Sequence, residues 1–257
     1  MEGDDLRKAR IAYGGAIHEA IEWEGQLKLE DGRLVEESKV TWLTPIEPRT
    51  VFALGLNYAD HAAELAFSAP TEPLVFLKGP NTFIGHQAYT RRPADVTYMH
   101  YECELAVIIG ETARNVKKED AYNYVKGYSV ANDYAIRDYL ENYYRPNLRV
   151  KNRDMGTPFG PWIVDAVDVA DPMNLKLTTH INNMLVQEGT TADMIFDIPA
   201  LIEYLSSFMT LSENDVILTG TPKGSVDTVV GDIVVTEVEG IGRLVNTIIG
   251  DESFINR

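Results

Sequence analysis

Two glutamates one residue apart open an apolar run, Tyr101-Glu102-Cys103-Glu104-Leu105-Ala106-Val107-Ile108-Ile109-Gly110. In a strand, side chains alternate, so Glu102 and Glu104 share a face with Ala106 and Ile108. Two neighbouring carboxylates repel each other. Either one takes up a proton or a cation sits between them. The competing reading is a strand end that is simply solvated. Asp133, in VANDYAIRD, falls where a strand is expected to pass into a helix, and there Asn132 or Asp133 would also serve as an N-cap. Joined to the pair, Asp133 completes a set of three carboxylates. Oxygen ligands without Cys or His imply a hard cation: Mg²⁺, Mn²⁺ or Ca²⁺. Three carboxylates leave about three of six octahedral positions to water or substrate, which suits catalysis better than a structural cage.

His61 and Glu64, in NYADHAAE, are three residues apart and would share one helical face. A histidine oriented by a carboxylate can act as a general base near neutral pH. The competing reading is a surface His beside a surface Glu. The proline-marked loop that follows, SAPTEP, suggests a lid. Lys151 in VKNRD, Arg137 in AIRD and Thr221 in Gly220-Thr221-Pro222-Lys223-Gly224 could contact an anion, although a Gly/Pro-rich string is usually only a turn. GTPKGS lacks the P-loop spacing, and neither AYGG nor IGIG has the dinucleotide-binding glycine pattern, so a nucleotide site is not expected.

The elements that must position these groups are mostly strands. Up to residue 48, RIAYGG, AIHEAIEW and RLVEE are short and separated by Gly14-Gly15, Glu24-Gly25 and Asp31-Gly32, which reads as a small β meander. Residues 49–257 are expected to form the catalytic domain. Strands are expected over 51–56, 74–77, 105–109, 127–131, 162–164, 175–181, 216–219, 233–238 and 242–249. Helical spacing runs over 58–67, 135–144 and 198–209. Strands outnumber helices and do not alternate with them, so the fold class is α+β, mostly β, not a doubly wound sheet.

The chain has 257 residues, 23 Lys+Arg against 39 Asp+Glu, and a formal charge of −16. That excess of carboxylates argues against nucleic acid or an anionic membrane as partner. With 45% hydrophobic residues the chain can build a core. No apolar run approaches the roughly 18–20 residues of a membrane span. MEGDDLRKAR carries no apolar signal-peptide segment, and Cys103 is the single cysteine. A cytoplasmic location is the expectation.

The strings LGLNYADHAAE, VFLKGPNT, YECELAVIIG, NDYAIRD, VKNRD, GPWIV and LTGTPKG, in that order over residues 50–246, resemble the fumarylacetoacetate hydrolase family. The resemblance implies a mixed β-sandwich roll, often dimeric, with a Mg²⁺-type site. It implies Glu102, Glu104 and Asp133 as metal ligands, Lys151 beside the metal, and Arg137 and Thr221 on the substrate's carboxylate or oxo groups. It places His61 and Glu64 as an acid–base dyad, and Lys78 matches its F-L-K string as a substrate-binding residue. The motifs are most similar to members that decarboxylate or isomerise oxo-diene acids of aromatic catabolism. Implied reactions are decarboxylation of 5-oxopent-3-ene-1,2,5-tricarboxylate and isomerisation of 2-hydroxyhepta-2,4-diene-1,7-dioate. Alternatives on the same site are an acylpyruvate- or fumarylpyruvate-type C–C hydrolase and an oxaloacetate decarboxylase. Leu140 and Glu141 stand where hydrolase members often carry a glutamine, and Ser225 departs from the family's GTP-x-G-V-G string.

Overall fold

The computed structural model describes residues 7–64, 70–140 and 148–251. Strands β1 (Arg7–Tyr13), β2 (Ala16–Trp23), β3 (Gln26–Leu29), β4 (Leu34–Val35) and β5 (Thr41–Trp42) form the N-terminal meander. Next come β6 (Val51–Gly55), helix α1 (Ala59–Glu64), β7 (Leu74–Lys78), β8 (Phe83–Ile84), β9 (Tyr89–Arg92) and β10 (Met99–His100). The centre holds β11 (Cys103–Ile109), β12 (Val125–Asn132), β13 (Ala135–Ile136), α2 (Leu148–Lys151) and β14 (Thr157–Asp165). The chain continues through β15 (Lys176–Ile181), β16 (Met184–Thr190), α3 (Ile198–Phe208), β17 (Val216–Leu218), β18 (Ile233–Val238) and β19 (Gly242–Gly250).

A twelve-stranded sheet runs β4-β3-β2-β1-β14-β12-β11-β17-β6-β7, with β5 on β1 and β8 on β14. A five-stranded sheet runs β16-β15-β18-β19-β9, and β10 pairs with β13. Most pairs are antiparallel, but β6–β17, β8–β14 and β9–β19 are parallel. The fold is therefore the mixed, mostly β architecture expected.

Strand β11 lies between β12 and β17 and is buried on both faces, which explains its nearly unbroken apolar sequence. Cys103, Leu105, Val107 and Ile109 face a core shared with α3 and with Leu177, Val238 and Leu244 of the smaller sheet. Ala106 and Ile108 face a second core with Val51, Ala53, Phe159, Val216 and Leu218. Helix α3 presents Ile198, Leu201, Ile202 and Leu205 to the first core. Its start is fixed by the Asp197 side chain, which accepts from Ala200 N at 2.8 Å.

The meander has apolar packing of its own around Ile11, Leu27, Leu29 and Trp42, and β1 extends the large sheet through β14. Trp42 stacks edge-on against Trp162 at 5.0 Å and against His86 at 4.9 Å. His86 Nδ1 accepts from Val245 N at 3.1 Å, so its imidazole is held neutral.

The expected helix over 135–144 is not formed where the chain is described. Ala135–Ile136 pairs with Met99–His100, and a single 3₁₀ turn follows at Arg137–Tyr139; residues 141–144 lie outside the described residues. Cross-strand pairing has overridden helical spacing. The helix expected over 58–67 is present as α1, and its last residues and the start of SAPTEP fall in the undescribed stretch 65–69. Strands β9 and β16 were not anticipated.

Burial pushes the His86 imidazole down to about 4. The unfolded chain binds that proton from about pH 6.5, so stability is full above 6.5 and falls as pH drops toward 4. Urea titrations should show a loss on the order of 2 kcal/mol across that window from this group. His86→Gln should flatten that stretch of the profile.

Candidate metal centre and active site

Register places the carboxylates. Cys103 pairs with Asn132 and Glu104 with Ala131. Asp133 N donates to Glu102 O at 2.9 Å, which brings the residue after β12 beside the residue before β11. One carboxylate oxygen from each of Glu102, Glu104 and Asp133 then lies within 4.8 Å of the others. Glu104 and Asp133 are 0% exposed and Glu102 is 7% exposed, so the strand end is not solvated. Asp133 precedes the short strand β13, so it is not the N-cap of a helix.

Two ammonium groups reach the same space. Lys151 Nζ, at the end of α2, donates to Glu102 Oε2 at 2.6 Å, to Asp133 Oδ2 at 2.9 Å and to Asp133 O at 3.2 Å. Lys78 Nζ, at the end of β7, donates to Asp133 Oδ1 at 2.5 Å and to the Lys151 carbonyl. The Lys78 side chain is 0% exposed and is committed to these two acceptors. Its position is that of a brace under Asp133 rather than a free substrate contact.

Among the described residues, three carboxylates against two ammoniums leave one negative charge without a cation. It falls on Glu104. Its Oε2 accepts from Gly220 N at 2.7 Å, but among the described residues its buried Oε1 has no hydrogen-bond partner. Burial, reinforced by the charges of Asp133 and Glu102, pushes the Glu104 carboxyl well above its ordinary range. At Glu102 burial acts the same way, but Lys151, with His100, His61 and Arg137, outweighs it and holds the carboxyl down to about 2. Burial draws the Lys78 ammonium below its ordinary value against the pull of Asp133. At Lys151 the burial effect is outweighed by Asp133, Glu102 and Glu104, and the ammonium is held above. An orphaned carboxylate oxygen beside two more carboxylates, with no nitrogen or sulfur donor in the set, fits a hard dication.

His61 lies on α1, buried, with Nδ1 3.1 Å from Glu64 Oε2. A carboxylate accepts, so Nδ1 carries the proton and Nε2 keeps its lone pair. Glu64 also accepts from Gly224 N at 3.0 Å, which ties the dyad to the 220–224 loop. Arg137 Nε donates to His100 Nε2 at 2.8 Å, and its Nη2 stands 4.0 Å from Glu102 Oε1. A guanidinium only donates, so His100 Nε2 accepts and its Nδ1–H donates to Tyr101 O at 2.9 Å. Burial pushes that imidazole down to about 3. Thr221 is buried between Gly220 and Gly224, where Glu104 and Glu64 hold the loop.

The chain thus brings Glu102, Glu104, Asp133, Lys78 and Lys151 into direct contact, with His61, Glu64, Arg137 and Thr221 around them. Two contributors escaped the sequence reading. His100 continues the two-residue alternation of Glu102 and Glu104, a signal that was available. Gln187, which bonds Thr221, gives none, because it reaches the site only through the pairing of β16 with β15.

Glu104→Gln and Asp133→Asn should part company. The first removes a carboxylate without a cationic partner: urea stability in EDTA should hold, while Mn²⁺ affinity, read by calorimetry, should fall more than about 100-fold. The second leaves the buried Lys78 ammonium with no carboxylate partner, while Lys151 keeps Glu102, and should cost about 3–5 kcal/mol of stability.

A sequence model described as fumarylacetoacetate (FAA) hydrolase C-terminal matches residues 50–249. The 4-hydroxyphenylacetate degradation bifunctional isomerase/decarboxylase of Salmonella dublin is 66% identical over 204 residues, 79% of this chain and 48% of that protein. The chain spans about half the length of the curated relatives it matches with highest identity. Among solved structures, 5-carboxymethyl-2-hydroxymuconate delta-isomerase from Mycobacterium smegmatis superposes with a TM-score of 0.85 at 37% identity, covering 96% of this chain and 99% of that one. Maleylpyruvate hydrolase from Sphingobium sp. SYK-6, in complex with manganese(II) and pyruvate, superposes at 0.81 with 26% identity, covering 95% of this chain and 99% of that one. With the family match covering most of its length and the carboxylate centre seated at the end of β11 and β12, the chain belongs to the fumarylacetoacetate hydrolase family.

Proposed function

We propose that the chain is a divalent-metal-dependent decarboxylase and isomerase acting on oxo-diene di- or tricarboxylic acids of aromatic catabolism. The candidate substrates are 5-oxopent-3-ene-1,2,5-tricarboxylate and 2-hydroxyhepta-2,4-diene-1,7-dioate. The observation that carries this is the buried Glu104 Oε1, without a donor, beside Glu102 and Asp133. The names borne by the relatives support the reaction class.

Glu102, Glu104 and Asp133 would hold Mg²⁺ or Mn²⁺, which supplies positive charge where a 2-oxo acid develops negative charge as a bond to C3 breaks. Lys151 and Lys78 offset the repulsion among these carboxylates and fix Asp133. Arg137, steadied by His100, and the Thr221 hydroxyl bind the substrate's carboxylate or oxo groups. His61 Nε2 takes a proton from carbon in isomerisation and returns it at a second carbon. In decarboxylation CO₂ leaves its electron pair on carbon, and His61, having first taken a proton from water at Nε2, delivers that proton to the same carbon. Glu64 keeps the ring aligned for both. We read the working form as a cytoplasmic homodimer; the exposed Met184, Ile233, Val229 and Val230 near the turn held by Asn182 are apolar residues that a second copy would cover.

A second reading, a C–C hydrolase, is favoured by the likeness to the maleylpyruvate hydrolase. Product analysis separates them: CO₂ or a shifted double bond marks the first, pyruvate plus a second acid the other. CO₂ release should require Mg²⁺ and stop with EDTA, and activity that survives complete chelation would overturn the metal role. His61→Ala should keep Mn²⁺ affinity and cut kcat by about 10²–10⁴-fold.

A further inference from the structure

Gln187 is a buried polar side chain on β16, outside every motif that marks the site. Its Nε2 donates to Pro222 O at 2.8 Å and to Thr221 Oγ1 at 2.9 Å, and its Oε1 accepts from Thr179 Oγ1 at 2.9 Å. The orientation of the amide is set by chemistry. A backbone carbonyl can only accept, so the nitrogen must face Pro222. Thr221 Oγ1 therefore receives an N–H, and its own proton is left over. Among the described residues that hydroxyl donates to nothing, although Thr221 is 3% exposed.

The surrounding backbone is shaped for this contact. A Cβ at Gly189 would overlap the Pro222 ring, and one at Gly224 would press on Val186 O and Gln187 Cα. The two glycines let the 220–224 loop lie flat on β16, with Gln187 beneath it. The loop's ends are fixed separately, Gly220 N by Glu104 and Gly224 N by Glu64.

We propose that Gln187 is a positioning residue: it occupies the acceptor side of the Thr221 hydroxyl, so that the hydroxyl meets the substrate only as a donor, to an anionic oxygen. Thr179 locks the amide from behind. The smaller sheet thereby sets the anion preference of a site built on the larger one. This rests on the reading of the site as one that holds a 2-oxo acid.

The test is oxalate binding to the Mn²⁺-loaded protein by calorimetry, in wild type, Gln187→Glu, Thr221→Val and the double variant. Gln187→Glu puts an acceptor against Thr221, which should turn its proton away from the ligand. Oxalate affinity should fall about tenfold in each single variant. The double variant should lose no more than either single, and Mn²⁺ affinity should stay within about twofold of wild type. Unchanged oxalate affinity in Gln187→Glu, losses that multiply in the double variant, or a parallel loss of Mn²⁺ would each overturn the proposal. Gln187→Met, of similar volume, enters the same cycle if Gln187→Glu does not fold. Wild type that binds Mn²⁺ but no oxalate would overturn the 2-oxo-acid reading, and this proposal with it.

Discussion

Three carboxylates are forced into one buried space, and no local interaction makes that comfortable. Lys151 bridges Glu102 and Asp133, and Lys78 underpins Asp133. Among the described residues, Glu104 is left with a backbone amide on one oxygen and nothing on the other. Most of the fold near the centre can be understood as the scaffold for this arrangement. The pairing of β11 with β12 supplies the carboxylates. The edge strand β7 and the short helix α2 each contribute an ammonium. Burial raises the electrostatic stakes, since an unpaired charge costs far more there than in water.

The same logic explains why β11 is both structural and chemical. Its odd-numbered residues knit the two sheets and α3 together, while its even-numbered residues run from the second core out to the carboxylates. Rigidity on one face steadies the carboxylate geometry on the other. A flexible strand end could not hold three repelling groups so close together.

Much of the centre was legible because it depends on short-range pattern. Alternation put Glu102 and Glu104 on one face, and a helical spacing of three joined His61 to Glu64; both relations survive in the fold. Asp133 joins the glutamate pair as expected by position, although strand β13 rather than a helix comes directly after it. The missing helix over the described residues 135–140 comes from Ala135–Ile136 pairing with a strand more than thirty residues earlier, a contact no local window contains. Lys78 illustrates the same limit: nothing local to its string says that its ammonium passes under Asp133. His100 and Gln187 likewise act through partners distant in sequence, Arg137 and Thr221.

Glu64 answers to two masters. Its carboxylate orients the His61 ring and also receives the amide of Gly224. Because the same loop begins with the amide that touches Glu104, the His61–Glu64 pair and the carboxylate cluster are tied together through five residues of backbone. Unseating that loop would relax both at once. A change within residues 220–224 therefore cannot loosen one of these contacts alone: the carboxylate that faces His61 and the anchored oxygen of Glu104 shift together.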